Sequence, residues 1–511
     1  MPAPLILSVY HGYHDSAVTV ATPDRVLVHL LAERHFGHKN LRLDAAGMDE
    51  LVAAALQYVG ADIAACGRLL LASWGSPHPT DATAVTVGGR ALSVTRTRHH
   101  RNHAYSSTVR PTDGSLVLCF DGGSEDGYAT LYDVHNGTLA NLDVLDDTLL
   151  TGKFYGTATQ VVLQPQFIRA HAADTGKLLG LSAFGSYSTE IEKLVLANLA
   201  EVNALHFDDP GDLRTRMGLS DDYHQPWRDQ RRADFAHTVQ RMWEHELLDT
   251  LAPHAGDRPI LLVGGCAHNV LANSVLSRSG LFPEVRVPPA PGDGGQSLGA
   301  VFDAYPRTVT ACPYLGRCFA PVTPADAPAV AARVTADLLA GRVVGLYQNE
   351  SEIGPRALGN RSILALASDA DNHHRVSIAV KGREPYRPLG PVALAESLPL
   401  LVESTADHRY LAFAPQATSL GVEAMPAAIH VDGTTRIQSV TEHQNPVLYH
   451  VLRQLRADAG ELALINTSLN VAGKPIADTP ADAMECFETT ALDVLYLGSR
   501  RHAKNGAGRV R

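Results

Sequence analysis

Two short stretches hold the residue types that could bind a catalytic metal ion. RTRHHRNHAYS (96–106) carries His99, His100 and His103; on a helix His99 and His103 stand four residues apart on one face, so both imidazoles can reach a single ion. In PGDGGQSLGA (291–300), Asp293 lies in a Gly-rich turn leading into a helix, a place suited to a carboxylate ligand or a bound phosphate. Two imidazoles and a carboxylate with open coordination positions suit a divalent ion such as Fe(II), and Asp121 would then lie near the same cleft. His14, with Asp15 beside it, occupies a turn near the start of the chain. A near-neutral imidazole there could take a proton from an attacking hydroxyl; the plainer alternative is a turn side chain that caps neighbouring backbone.

The second chemistry is anion binding. NESEIGPRALGNRSILA (349–365) and KGREPYRPLGP (381–391), with the residues between them, supply Arg356, Arg361, Arg375, Lys381, Arg383 and Arg387, six cations in 32 residues. Guanidinium forks on a loop stiffened by Gly and Pro suit phosphate or carboxylate, where a solvated basic loop is the plainer reading. Arg436 in DGTTRIQSV, and Asn466, Ser468 and Asn470 in LINTSLN, could complete a nucleotide pocket. No GxxxxGK[ST] is present, so an ATP site here is not a P-loop.

These residues need elements to position them. Residues 5–33 read as strand, tight turn, strand, turn, strand, and about 110 residues later the arrangement returns as SLVLCF, DGGSEDG, YATLYDV, HNG and TLANLDVL. Both copies set a small polar turn directly after a buried strand, like the duplicated halves of an actin-like, ribonuclease-H-like fold. Residues 47–60 and 232–251 carry helix-period apolar faces, and two strand-turn-helix units follow at 258–276 and 285–305, so the class is α/β. Four prolines within 304–326 mark a boundary; beyond it lies a second unit with a strand at VVGLY.

Composition narrows the partners. The chain has 511 residues, 43 Lys and Arg against 54 Asp and Glu, and a net charge of −11, which gives no help toward nucleic acid or anionic lipid. A small-molecule substrate is the better expectation. No stretch approaches the roughly 18 apolar residues of a membrane span, and the start lacks signal-peptide features, so a cytoplasmic protein is expected. The six cysteines form no CxxC pair and several sit in apolar runs, which predicts buried thiols rather than disulfides or zinc ligands.

HDSA at 14–17, HHxxHA at 99–104, GG…N at 264–269, GDGG at 292–295 and, most specifically, EIGPRALGNRSILA at 352–365 resemble the NodU/CmcH carbamoyltransferases, in this order across nearly the whole chain. The resemblance implies a duplicated actin-like (ribonuclease-H-like) ATPase-type domain at 1–310, similar to the universal tRNA-threonylcarbamoyl transferase. It further implies a C-terminal YrdC-like α/β domain at 322–500 and a basic tail at 501–511. The YrdC-like unit would make carbamoyladenylate from carbamoyl phosphate and ATP, the latter with Mg2+. A hydroxyl of a small natural product would then attack its carbonyl in the N-terminal cleft as AMP leaves.

By motif, Arg356 and Lys381 would act on the phosphate groups, with Arg361, Arg383, Arg387, Arg436, Asn466, Ser468 and Asn470 completing the site. Gly122, Gly123, Gly264, Gly265 and Asn269 would line the cofactor. His99, His103, Asp293 and Asp121 would hold Fe2+ or another divalent metal, with Asp121 also in the catalytic set, and His14 would be the base for the acceptor hydroxyl. YRPLGP, GKPI and LGLSAFG depart from the more usual FRPFAP, GEPI and MGLAPYG, and His268 stands where an apolar residue is commoner, with no role assigned. The expected partner is a small hydroxylated molecule, with no nucleic acid or membrane and a homodimer as a compatible assembly. A tRNA-directed threonylcarbamoyl-type transferase and an ATP-gated actin-like binding protein without acyl chemistry are the competing readings.

Overall fold

The computed structural model describes residues 4–73, 84–87, 90–106, 111–145, 149–163, 171–204, 211–220, 225–308, 310 and 312–504. The predicted repeat is present as two sheets of one topology. In the first lobe β1 (Leu5–His11), β2 (Ser16–Thr22) and β3 (Arg25–Leu31) form an antiparallel meander, and β4 (Cys66–Ser73) runs parallel to β1. Beyond it lie β5 (Ala84–Val87) and β6 (Arg90–Thr97), giving the order β3-β2-β1-β4-β6-β5. The second lobe repeats this with β7 (Leu116–Ser124), β8 (Gly127–His135) and β9 (Thr138–Val144), then β10 (Ile260–Val263) and β11 (Val285–Arg286), in the order β11-β10-β7-β8-β9.

Apolar strands buried on both faces require cover on both sides. The first sheet packs one face on the helix Ala45–Tyr58 and the other on Gln296–Ala304. The second rests on the helices Gly152–Leu163 and Gln230–Leu251, whose Phe154 and Trp243 rings stack 6.5 Å apart. The two helices predicted at 47–60 and 232–251 therefore form within two residues of the expected bounds. Asp44 and Asp229 cap them, each accepting from a backbone N–H of the first turn.

A two-stranded link follows, β12 (Tyr314–Cys318) with β14 (Glu350–Glu352). The C-terminal unit is built on a seven-stranded sheet of β13 (Val344–Tyr347), β15 (Arg361–Leu366), β16 (Gly390–Leu394), β17 (Gln438–Val440), β18 (Ala463–Ser468), β19 (Val494–Leu497) and β20 (Arg500–Ala503). Its order is β17-β16-β18-β15-β13-β19-β20. Helices Ala327–Leu339 and Pro446–Ala459 cover one face, and a second apolar layer that includes Cys486 and Phe487 covers the other.

One expectation is corrected here. Residues 501–503, expected in a loose basic tail, belong to β20: they pair with β19, and Arg501 donates to Asp337 at 2.7 Å, so ladder bonds and an ion pair hold a segment that composition alone marks as loose. Of the six cysteines, Cys66, Cys119, Cys266 and Cys486 are buried, and all six are free thiols. Among the described residues no helix is long and apolar enough to cross a membrane.

Candidate active site

The three units meet around one chamber of about 2150 Å3. Its first wall is the predicted metal cluster. The helix His99–Tyr105 forms where the spacing requires it, and its N-terminus is capped from the β7–β8 turn: Glu125 accepts from the His99 N–H at 2.9 Å and Asp126 from the His100 N–H at 3.3 Å. Four residues apart, the His99 and His103 Nε2 atoms stand 3.0 Å from each other. Asp121 Oδ2 lies 2.6 Å from His103 Nε2 and 3.3 Å from His99 Nε2, and Asp293 Oδ1 lies 3.4 Å and 3.3 Å from His99 and His103. All four donor atoms fall within 4.8 Å of one another. Asp293 Oδ1 is buried without a hydrogen-bond partner, while its other oxygen accepts from the Tyr10 hydroxyl at 2.5 Å.

Charge within the cluster is balanced. Burial pulls the His99 pKa down, yet Asp293 and Asp121 outweigh it and lift the group to about 10; His103 is raised for the same reason. The imidazoles in turn hold both carboxylates below their usual range against burial. His14 sits at the rim with its side chain 44% exposed; its Nδ1 is 2.8 Å from Asp15 and its Nε2 3.7 Å from Asp293. Burial lowers its pKa, but the Asp15 hydrogen bond and the charges of Asp15, Asp293 and Asp121 raise it to about 10.

The other wall is cationic. Arg356, Arg383, Arg387 and Arg436 line the chamber, and Arg356 Nε is buried with no partner. Burial together with the charge of Arg387 pushes Arg356 down to about 10, and burial with Arg387 and Arg356 pushes Arg383 down to about 9. Arg436, anchored through Nε to the Leu411 carbonyl, is lowered by burial and by Arg356. These four guanidinium groups crowd one side of the chamber, and among the described residues the acid within ion-pair distance of any of them is Glu384, 3.4 Å from Arg387, so the wall suits an anion.

Of the residues named from sequence, Gly122, Gly123, Gly265, Asn269, Ser468 and Asn470 also line the chamber. Lys381 lines it too, but its ammonium is already held by the Ser468 carbonyl (2.7 Å), the Asn470 carbonyl (2.9 Å) and Asn470 Oδ1.

Three expected ligand-binding residues stand behind the wall. Arg361 is fully buried; it donates to the carbonyls of Gln348, Asn360, Arg317 and Asn349 and lies 3.8 Å over the Tyr347 ring. The Asn466 side-chain amide nitrogen donates to the Ala357 carbonyl and to Gln438 Oε1. Gly264, at φ +92°, lets its chain pass where a Cβ would meet the Phe120 carbonyl at 2.2 Å, so it is a packing glycine. Arg375 is also engaged elsewhere, with the Gly341 carbonyl, Asn372 and Asp493.

Sequence reasoning passed over Tyr10, hidden in an apolar strand, and the chamber-lining Glu33 and Lys39, which follow β3 without any periodic signal. His268 lines the chamber beside Gly292, where a Cβ on Gly292 would lie 3.4 Å from Nε2; burial and the charges of Arg356 and Arg436 lower its pKa to about 3.

Residues 86–302 match the family model described as carbamoyltransferase N-terminus, and residues 335–504 the one described as carbamoyltransferase C-terminus. The chain is 31% identical over 434 residues to the nodulation protein NolO of Bradyrhizobium diazoefficiens, covering 78% of this chain and 77% of that protein. It is 29% identical over 448 residues to the 3'-hydroxymethylcephem-O-carbamoyltransferase of Streptomyces clavuligerus, covering 83% of each. Among solved structures, full-length HypF in a phosphate- and nucleotide-bound form is similar at a TM-score of 0.33 and 13% identity, covering 60% of this chain and 47% of that one.

Proposed function

The chain belongs to the carbamoyltransferase family, and from that premise we propose that it is an ATP-dependent O-carbamoyltransferase that runs two reactions in one chamber. In the first, water takes the phosphoryl group of carbamoyl phosphate, and the carbamate oxygen released attacks the α-phosphorus of ATP. One O–P bond forms and the bond to pyrophosphate breaks, giving carbamoyladenylate, phosphate and pyrophosphate. In the second, an acceptor hydroxyl attacks the carbamoyl carbon, the bond to AMP breaks, and the hydroxyl proton passes to a base. Atoms balance as a carbamate ester and AMP.

The first reaction belongs to the cationic wall, in a C-terminal unit that we read as YrdC-like. Arg356, Arg383, Arg387 and Arg436 would offset the charge of ATP, with Mg2+, and of carbamoyl phosphate; Lys381 would hold the Ser468–Asn470 loop beneath them. The second belongs to the cleft between two lobes of actin-like type. Asp15 occupies His14 Nδ1, so Nε2 faces the Asp293 side of the chamber; it would accept the hydroxyl proton once the charges of Asp293 and Asp121, which now keep it protonated, are offset.

The residues present fit a divalent ion: His99, His103, Asp121 and Asp293 offer two imidazole nitrogens and two carboxylates at one point, and Asp293 Oδ1 lacks any hydrogen bond. Fe2+ suits that donor set. When bound, the ion supplies positive charge that offsets the carboxylates now holding His14 protonated and favours ionisation of an acceptor hydroxyl.

The observation that carries this reading is that the His/Asp cluster and the guanidinium cluster open into the same chamber. The acceptor is a small hydroxylated molecule, of which the hydroxymethylcephem named for two relatives is one kind. A supply of ATP and carbamoyl phosphate assigns the enzyme to the cytoplasm. The test is mass spectrometry of the protein incubated with ATP, Mg2+, carbamoyl phosphate and a panel of hydroxylated metabolites. AMP and an acceptor carrying one carbamoyl group are expected; cleavage of ATP to ADP alone would refute the reading.

A further inference from the structure

The residue that carries the next step is Arg34, in the short helix Ala32–Phe36 directly after β3. It is 5% exposed, yet no carboxylate lies within ion-pair distance of it among the described residues. Burial lowers its pKa, and its Nε has no partner. Glu33, Glu352 and Asp478 favour its charge from a distance, but with none of them bonded to it a buried guanidinium is costly unless its donors are well used. Both terminal nitrogens of Arg34 are used on the other unit: one donates to the Glu352 carbonyl and the other to the Gly354 carbonyl.

Those two carbonyls open the loop that carries Arg356. The same loop is gripped from other sides. The Glu352 carboxylate accepts from the N–H groups of Leu358 (2.8 Å), Asn360 (2.9 Å) and Arg361 (3.2 Å). Ile353 donates to the Pro313 carbonyl at 2.9 Å. Gly354 passes so close to the second lobe that a Cβ there would lie 1.8 Å from the Pro289 carbonyl, four residues before Asp293. Pro355 then stiffens the single step to Arg356. All three units therefore meet on residues 352–356: the first lobe gives an apolar cluster of Ile6, Ala21 and Leu70 that includes Ile353, and one planar fork that spans two carbonyls.

We propose that Arg34 is a positioning residue for adenylate formation, setting the place of Arg356 through the Glu352 and Gly354 carbonyls. The inference rests on the two-reaction reading above. Arg34 touches no substrate; it acts by holding the backbone that aims a substrate-binding guanidinium. The same contact makes anion binding in the C-terminal unit depend on the first lobe, which also bears His14.

The test uses the full-length enzyme with carbamoyl phosphate, ATP and Mg2+, and follows pyrophosphate release, Tm and bound metal for wild type, Arg34→Ala and Arg34→Lys. Because small misplacements of a catalytic group can cost up to about 100-fold, the expected result for Arg34→Ala is a fall of about tenfold or more. Metal content should be unchanged, and millimolar guanidinium should restore part of the rate. Arg34→Lys should fall in between, since an ammonium lacks the fork. If Arg34→Ala does not fold, Arg34→Lys decides alone: a lowered rate with the wild-type Tm supports the role, and a wild-type rate overturns it. Two results for a folded Arg34→Ala also overturn it: a rate within twofold of wild type, or a loss that tracks Tm and that guanidinium does not restore. A wild-type enzyme that releases no pyrophosphate brings down the two-reaction reading itself, so the two failures are distinguishable.

Discussion

On one wall of the chamber two imidazoles face two carboxylates; on another, four guanidinium groups crowd together. The first set pairs opposite charges: Asp121 and Asp293 raise the imidazoles, and the imidazoles hold both carboxylates low. The second crowds like charges: Arg356, Arg383 and Arg436 each have a depressed pKa, caused by burial and by the neighbouring cations. Only an anion from outside relieves it. The difference teaches which wall is compensated from within and which carries an excess of like charge that an anion would offset.

The largest effects should come from breaking the walls separately. Asp293→Ala removes the carboxylate that bonds Tyr10 and reaches both imidazoles. Carbamoyl transfer is then expected to fall on the order of 10³-fold, with bound metal lost, because a metal site supplies several kcal/mol to charge stabilisation. Pyrophosphate release from ATP and carbamoyl phosphate should remain near wild type. Comparable loss of both reactions would show that the two walls are not separate. Arg356→Ala is the reverse case: pyrophosphate release should drop about 10²-fold while metal content stays, as for loss of one preorganised donor.

How much of this contrast the sequence discloses depends on the range of the signal. The His/Asp wall was legible as a cluster because its features are local: a four-residue spacing on one helix, and an aspartate in a Gly-rich turn. The duplicated strands were legible for the same reason, since each copy repeats its own turns. Arg356 and Arg361 were not separable, because both sit five residues apart in one Gly- and Arg-rich loop. Only the register of β15 against β13 turns Arg361 onto carbonyls and the Tyr347 ring while Arg356 faces the chamber. Tyr10 reads as core in an apolar strand, and its bond to Asp293 joins residues 283 apart in the chain. The Arg34 contact spans 318 residues and leaves no mark in local composition.

A stability measurement sharpens the contrast at smaller scale. Arg383→Gln relieves like-charge crowding around Arg356 and Arg387, so the anion-free enzyme should gain about 0.5–2 kcal/mol, the usual gain when a strained functional site is relaxed. The sign follows from charge: burial and the neighbouring Arg387 and Arg356 disfavour the Arg383 guanidinium, which stays protonated, and Gln carries no charge to bury. Thermal scans should also show the variant gaining less than wild type from added ATP and Mg2+. A lower Tm without anion would mean that the cluster is internally compensated after all.

The smallest effect marks the edge of the cationic wall. Arg375 belongs by sequence to the same run of six cations, yet its side chain lies with Asp493 at 3.0 Å, Asn372 at 2.8 Å and the Gly341 carbonyl at 2.8 Å, all away from the chamber. Asp493 in turn accepts from the Val343 N–H at 2.7 Å, one residue ahead of β13, so Arg375 fastens the sheet rather than a substrate. At 34% side-chain exposure the pair is partly screened, and Arg375→Gln should cost no more than about 1 kcal/mol. Pyrophosphate release and its KM for carbamoyl phosphate should stay within twofold of wild type. A KM raised as far as that of Arg356→Ala would extend the anion site to Arg375. The wall would then be set by long-range field rather than by the four guanidinium groups in contact with the chamber.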